Sequence, residues 1–125
     1  MTTWTDDELD RIAEADELRI ASARSDGSLR GPVTIWVVRH GDDLYVRAVN
    51  GTEGAWFRRA QERHEGRVEA GGVTRDVTFA EADPALADAI DADYRRKYRH
   101  YSESIVDTVV ARKARAATFR LVPRG

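Results

Sequence analysis

The sequence predicts a single α+β domain over residues 1–125, with about six mostly antiparallel strands and three or four helices. Three observations carry that prediction. Residues 32–49 read as two apolar strands joined through His40-Gly41-Asp42-Asp43, the chemistry of a tight hairpin. Residues 67–82 read as a second hairpin turned at Gly71-Gly72, with polar and apolar side chains alternating. Residues 9–13, 86–101 and 105–110 repeat apolar residues at three- and four-residue spacing, the period of a helix face. With 125 residues, 42% hydrophobic and 34% charged, the chain is long enough for one core and too short for two.

Each element has a local reason. Thr5 and Glu8 form a capping-box pair, Trp4 and Leu9 stand at the staple positions, and Leu9, Ile12 and Ala13 mark a short helix ending near Ala15. Leu18 to Arg24 alternates as a strand and closes at Ser25-Asp26-Gly27-Ser28. Pro32 opens the strand Val33 to Arg39. Large side chains on both of its faces predict a central position, with proline at the tolerated first place. Leu44 to Val49 returns. Asn50 to Gly54 turns into a helix beginning near Ala55, and the second hairpin follows. Asp83-Pro84 is a cap followed by a first-turn proline. Leu86, Ile90, Tyr94, Tyr98 and Tyr101 then keep helical spacing, Ser102-Glu103-Ser104 breaks or re-caps the helix, and Ile105 to Val110 resumes it. Ala117 to Val122 is the last strand, stopped by Pro123.

Composition excludes several classes. No apolar run is long enough for a membrane helix, the N-terminus is polar and acidic, and cysteine is absent, so the expected location is cytoplasmic. The net charge of −2 gives no reason to expect nucleic acid. Charge is nonetheless polarised: residues 1–20 carry seven acidic and two basic side chains, and residues 92–125 carry nine basic and three acidic ones. That polarity suits an anionic ligand, subunit alignment, or simply solvated helix faces. His40, His64 and His100 lack paired ligand spacing, so no metal site is indicated. No nucleophile elbow, phosphate loop or dinucleotide fingerprint is present.

Three segments remain as candidate sites. In Arg47 to Arg59 a strand ends, a glycine turn follows and a helix starts. Free N–H groups and nearby arginines there suit a phosphate, and an ordinary strand-to-helix turn is the alternative. Tyr94, Lys97, Tyr98 and Tyr101 share one side of the late helix, fit for a flat ring, a subunit contact or core packing. Arg30 to Trp36 leads a basic residue into a strand on which Thr34 and Trp36 point the same way, toward a ring-shaped pocket or toward the core.

Taken in order, Ser25-Asp26-Gly27-Ser28, Pro32 to Val38, Leu44 to Ala48, Gly54 to Arg58, Tyr94 to Tyr98 and Ala117 to Leu121 resemble an uncharacterised bacterial family, domain of unknown function 2255. The resemblance covers nearly the whole chain. That family in turn is similar to the split β-barrel proteins that include deazaflavin-dependent nitroreductases and pyridoxamine phosphate oxidase. It implies a split β-barrel of the FMN-binding type and a homodimer with sites at the subunit boundary. In the nitroreductase group a strand ends in a small residue, passes a glycine turn and enters a helix bearing tryptophan. Ala48, Gly51 and Trp56 match that run. Asn50 stands where that group commonly has lysine, and Phe57-Arg58-Arg59 where it usually has tyrosine, histidine and asparagine.

The function this implies is an oxidoreductase that binds deazaflavin (coenzyme F420) or FMN and passes a hydride to a small organic acceptor. Arg47, Arg58, Arg59 and Lys97 are then the anion-binding candidates. Thr34, Trp36, Ala48, Gly51 and Trp56 shape the cofactor pocket in a crevice beside Gly51, and Tyr98 is the candidate catalytic residue. The alternatives are a cofactor-free small-molecule binding protein and a non-redox pathway enzyme on the same barrel.

Overall fold

The structure, a computed structural model, describes residues 3–124. Its first helix, α1 (Asp6–Glu14), starts where the capping box predicts. Thr5 Oγ1 accepts the Glu8 N–H and Glu8 returns a bond to the Thr5 N–H. Leu9 and Ile12 are the buried face of α1. The helix is fastened at its start: Glu8 takes two bonds from Arg75, at 2.9 and 2.8 Å, and the Trp4 indole donates to the Leu121 carbonyl.

Seven strands follow: β1 (Leu18–Ser22), β2 (Val33–Ile35), β3 (Val37–His40), β4 (Asp43–Arg47), β5 (Glu65–Ala70), β6 (Val73–Glu81) and β7 (Thr118–Pro123). They form one antiparallel sheet in the order β2-β1-β5-β6-β7-β4-β3. β2 and β3 occupy opposite ends of that order, yet only Trp36 separates them in the chain. The sheet therefore curls until its two ends meet at one residue, a nearly closed split barrel. The expectation of an unbroken central strand over 33–39 is corrected here. The strand creases at Trp36, and its halves close the two ends of the sheet.

The double-sided pattern that suggested a central strand has another cause. Val37, Leu44 and Val46 point into the barrel with Leu18, Ile20, Val68, Val77, Phe79, Phe119 and Leu121. Val38 and Tyr45, one residue out of phase, point outward into a second core with Ile90, Tyr94, Tyr98, Val106 and Val109. That outer core is roofed by α3 (Ala87–Lys97) and α4 (Glu103–Val110). The hairpin β5–β6 has no such roof, and β5 alternates buried and exposed residues. Its crowding is internal: a Cβ at Gly66 would lie 2.2 Å from the Ala21 carbonyl oxygen, so only glycine lets β1 and β5 approach this closely.

Two more helices complete the chain, α2 (Ala55–Arg63) and the short α5 (Arg112–Ala116). Phe57 of α2 stacks on Phe119 with ring centres 4.5 Å apart. Among the described residues no helix is long and apolar enough to cross a membrane.

Candidate functional site

The crease at Trp36 creates both a problem and an opening. Val37, first residue of β3, has an N–H and a carbonyl at the open edge of the sheet, where an unpaired group costs about 1–3 kcal/mol if buried. The end of α3 supplies the partners. Tyr98 Oη accepts the Val37 N–H at 3.1 Å and donates to the Asp16 carbonyl at 2.7 Å, while Lys97 Nζ donates to the Val37 carbonyl at 2.7 Å. Burial raises the Tyr98 hydroxyl above its ordinary value, against the pull of its bond to Val37. Burial lowers Lys97 to about 8, with Asp16 opposing. Tyr98 and Lys97 are thus a staple across the barrel seam. Tyr98 is expected as catalytic residue and Lys97 as anion ligand; the structure places the tyrosine fully buried and directs the bonds of both groups to backbone.

On the other side of Trp36 lies a slot of about 270 Å³, lined by Thr34, Ile35, Trp36, Arg47, Val49, Trp56, Ile105, Thr108 and Val109. Its walls are mostly apolar, with an indole from the crease and a second indole from α2. Trp56 also borders a small recess with Arg30, Arg59, Ser22 and Val33. This recess adjoins the start of α2, which has Gly54 at its cap, no side-chain cap bond and no acidic residue in its first turn. The helix therefore presents unmatched N–H groups and a positive dipole end. Arg58 and Arg59 are exposed there and make no ion pair among the described residues. Arg30 is held loosely by Glu62 at 3.4 Å, and its buried Nε has no hydrogen-bond partner.

Thr34, Trp36 and Trp56 are thus brought together in the slot, and Arg59 lines the neighbouring recess, while Arg58 lines neither. Three other expected site residues are already engaged within the frame. Arg47 borders the slot, but its guanidinium is consumed by Asp91, the Val109 and Ala87 carbonyls and the Thr118 hydroxyl. It is a clamp tying β4 to α3 and α4, not a free cation. Ala48 is buried in the barrel core, where its N–H bonds to the Ala117 carbonyl. Gly51 has φ of 77°, but a Cβ there would lie 3.1 Å from the Lys113 Cβ, so its open side is filled by α5. The crevice lies at the seam between Trp36 and Trp56, not beside Gly51.

Sequence reasoning left out Ile105, Thr108 and Val109 as slot residues, because a helical repeat shows which residues share a face and not what that face meets. It also left out Asp91, which looks like any solvated carboxylate on a helix. A larger hollow of about 430 Å³ opens on the far side of Arg47, bordered by Phe57, Gln61, Glu81, Asp83, Arg115 and Phe119 among others. Its two arginines are neutralised by Asp91 and Asp88, so it offers no free cation to an anionic ligand.

Solved structures share this fold at low identity. The chain is similar to HutZ, the heme storage protein of Vibrio cholerae, with 14% identity over 93% of this chain and 87% of that one (TM-score 0.66). It is similar to an FAD-binding protein of Mesorhizobium loti, with 15% identity over 98% and 92% (TM-score 0.59). It is also similar to an F420 reductase, with 15% identity over 90% and 89% (TM-score 0.53). No curated protein matches it. A family model matches nearly the whole chain, residues 8–121, and the protein belongs to DUF2255, a family of uncharacterized proteins conserved in bacteria.

Proposed function

We propose that the slot binds the ring of a flavin-type cofactor, FMN or deazaflavin (coenzyme F420), and that the protein is an oxidoreductase acting on a small organic acceptor. The observation that carries this reading is continuity. An apolar slot walled by two indoles shares Trp56 with a small recess bordered by Arg30 and Arg59, and Trp56 belongs to the first turn of a helix without a side-chain cap. A flat apolar ring with an anionic tail needs that sequence of surfaces. The unpartnered Arg30 Nε fits the same ligand, since a phosphate oxygen supplies the missing acceptor. Among the described residues the slot lining has no histidine, cysteine, methionine or tyrosine, the side chains that ligate heme iron, which favours a flavin over a heme.

When bound, the cofactor supplies the hydride chemistry. The chain's own part is to hold and orient. Trp36 and Trp56 bound the ring, Thr34 and Thr108 offer hydroxyls at the slot wall, and Arg30, Arg58 and Arg59 hold the charged tail. Val33, Val49 and Ile105 are exposed apolar residues around this region, at 38%, 42% and 49%. A second copy covering them exchanges that surface for an interface and shuts water from the slot, so the working form in this reading is a homodimer.

Titration of the full-length protein with FMN and with deazaflavin, followed by fluorescence, tests the assignment. Arg59→Ala is expected to weaken FMN binding about fivefold, the loss of roughly 1 kcal/mol carried by a partly exposed charge pair. Unchanged affinity in Arg30→Ala and Arg59→Ala removes the basic recess from the site. Saturable binding of uncharged apolar rings, with no response to either cofactor, supports a cofactor-free binding protein. The engagement of Arg47 and the filling of Gly51 favour that second reading.

A further inference from the structure

Trp36 is held differently on its two sides. One face is covered by Tyr98, with ring centres 3.9 Å apart and planes within 4°. Tyr94 lies beside Tyr98, at 6.1 Å and 24°, and Tyr101 leans on Trp36 at 4.9 Å and 44°. Trp36 also lines the slot. Tyr98 has no freedom to turn away, because it is fully buried and its hydroxyl is bound to Val37 and Asp16. One of the slot's two indoles is therefore part of a fixed group of stacked, electron-rich rings.

We infer that Tyr98 is a positioning residue whose stack beneath Trp36 makes the slot selective for planar, electron-poor heteroaromatic rings. This rests on the flavin reading above and deepens it. An indole backed by a phenol presents a polarisable, electron-rich surface. An electron-poor planar ring stacked on it gains both dispersion and quadrupole complementarity. An electron-rich ring, such as the reduced form of the same flavin, gains less. The slot thus prefers the oxidised ligand, and the preference originates in two rings of the protein rather than in a charged group.

The test compares binding of oxidised FMN and of FMN reduced under anaerobic conditions to the full-length protein and three variants. The wild-type protein is expected to bind the oxidised form more tightly and to show a long-wavelength absorption shoulder from ring stacking. Trp36→Leu is expected to weaken oxidised FMN about three- to tenfold, to weaken reduced FMN less, and to abolish the shoulder. Tyr98→Phe keeps the lower ring and loses only the hydroxyl bonds, so it is expected to keep the oxidised-to-reduced ratio. Tyr98→Leu is expected to lower the ratio. Should Tyr98→Leu fail to fold, as judged by circular dichroism, Trp36→Leu and Tyr98→Phe carry the test. A wild-type ratio in Trp36→Leu, or a ratio lost in Tyr98→Phe, overturns the inference while leaving the flavin reading intact. A wild-type protein that binds neither form overturns the flavin reading and this inference with it.

Discussion

The hairpins β3–β4 and β5–β6 belong to one sheet yet meet opposite surroundings. In β3–β4 both faces are covered, the inner by the barrel core and the outer by α3 and α4. In β5, residues facing inward are buried and those facing outward are exposed. The contrast explains where the crevice lies. A strand covered on both sides has neighbours able to satisfy a broken ladder, and the crease at Trp36 is tolerated because Tyr98 and Lys97 wait above it. A strand with a wet face has no such support and stays regular. Sites arise where the sheet is irregular, and irregularity is stable only under a second layer.

The largest way to break that contrast is at the Arg47 clamp. Its side chain is fully buried and joins β4 to α3 and α4, so Arg47→Met leaves Asp91 without its buried partner and two carbonyls without their donors. A loss of about 3–5 kcal/mol is expected, read as a lower urea midpoint. Arg47→Met with Asp91→Leu is expected to recover part of it. Recovery would show that the uncompensated carboxylate, not the missing packing, dominates.

A smaller break targets the other hairpin. Gly66→Ala drives a methyl into the Ala21 carbonyl and the Phe79 ring. A cost of about 1–3 kcal/mol is expected, again by urea denaturation, with flavin binding unchanged because Gly66 lines neither the slot nor the recess. Loss of binding would mean that the two hairpins are mechanically coupled.

The smallest effect sharpens the seam itself and is read through pH. Lys97 is lowered to about 8 from an ordinary 10.5, so between these values the unfolded chain binds the proton that the folded chain has released. Stability therefore gains from Lys97 as pH rises from about 8 toward 10.5. Tyr98 is raised above its ordinary 10.0, so above pH 10 the unfolded chain loses a proton that the folded one keeps, and stability falls. Urea midpoints at pH 7, 9 and 11 are expected to show a smaller gain between 7 and 9 in Lys97→Met, and a smaller loss between 9 and 11 in Tyr98→Phe. Parallel profiles for all three proteins would contradict the buried placement of both groups.

Much of this architecture is written in local sequence. The Thr5–Glu8 capping box, the two hairpin turns, the Asp83-Pro84 start and the restart after Ser102 all act over a few residues, and each is found where residue chemistry puts it, although α3 already ends at Lys97, short of the expected Tyr98 and Tyr101. The indoles Trp36 and Trp56 and the arginines of α2 were also legible, because a glycine turn entering a basic helix is a local pattern. The partners of Arg47, Gly51 and Tyr98 were not. Asp91 lies 44 positions from Arg47, and Asp16 lies 82 from Tyr98.

What the chain determines by itself is therefore its set of elements and the chemistry each one carries, since capping, turns and side-chain periodicity are short-range. What the tertiary structure decides is which of those groups are already occupied. Arg47 and Tyr98 look like ligand-binding residues in sequence, and they become parts of the frame because the barrel closes under two helices and brings distant acceptors to them. Closure is a long-range event, and no window of neighbouring residues contains it.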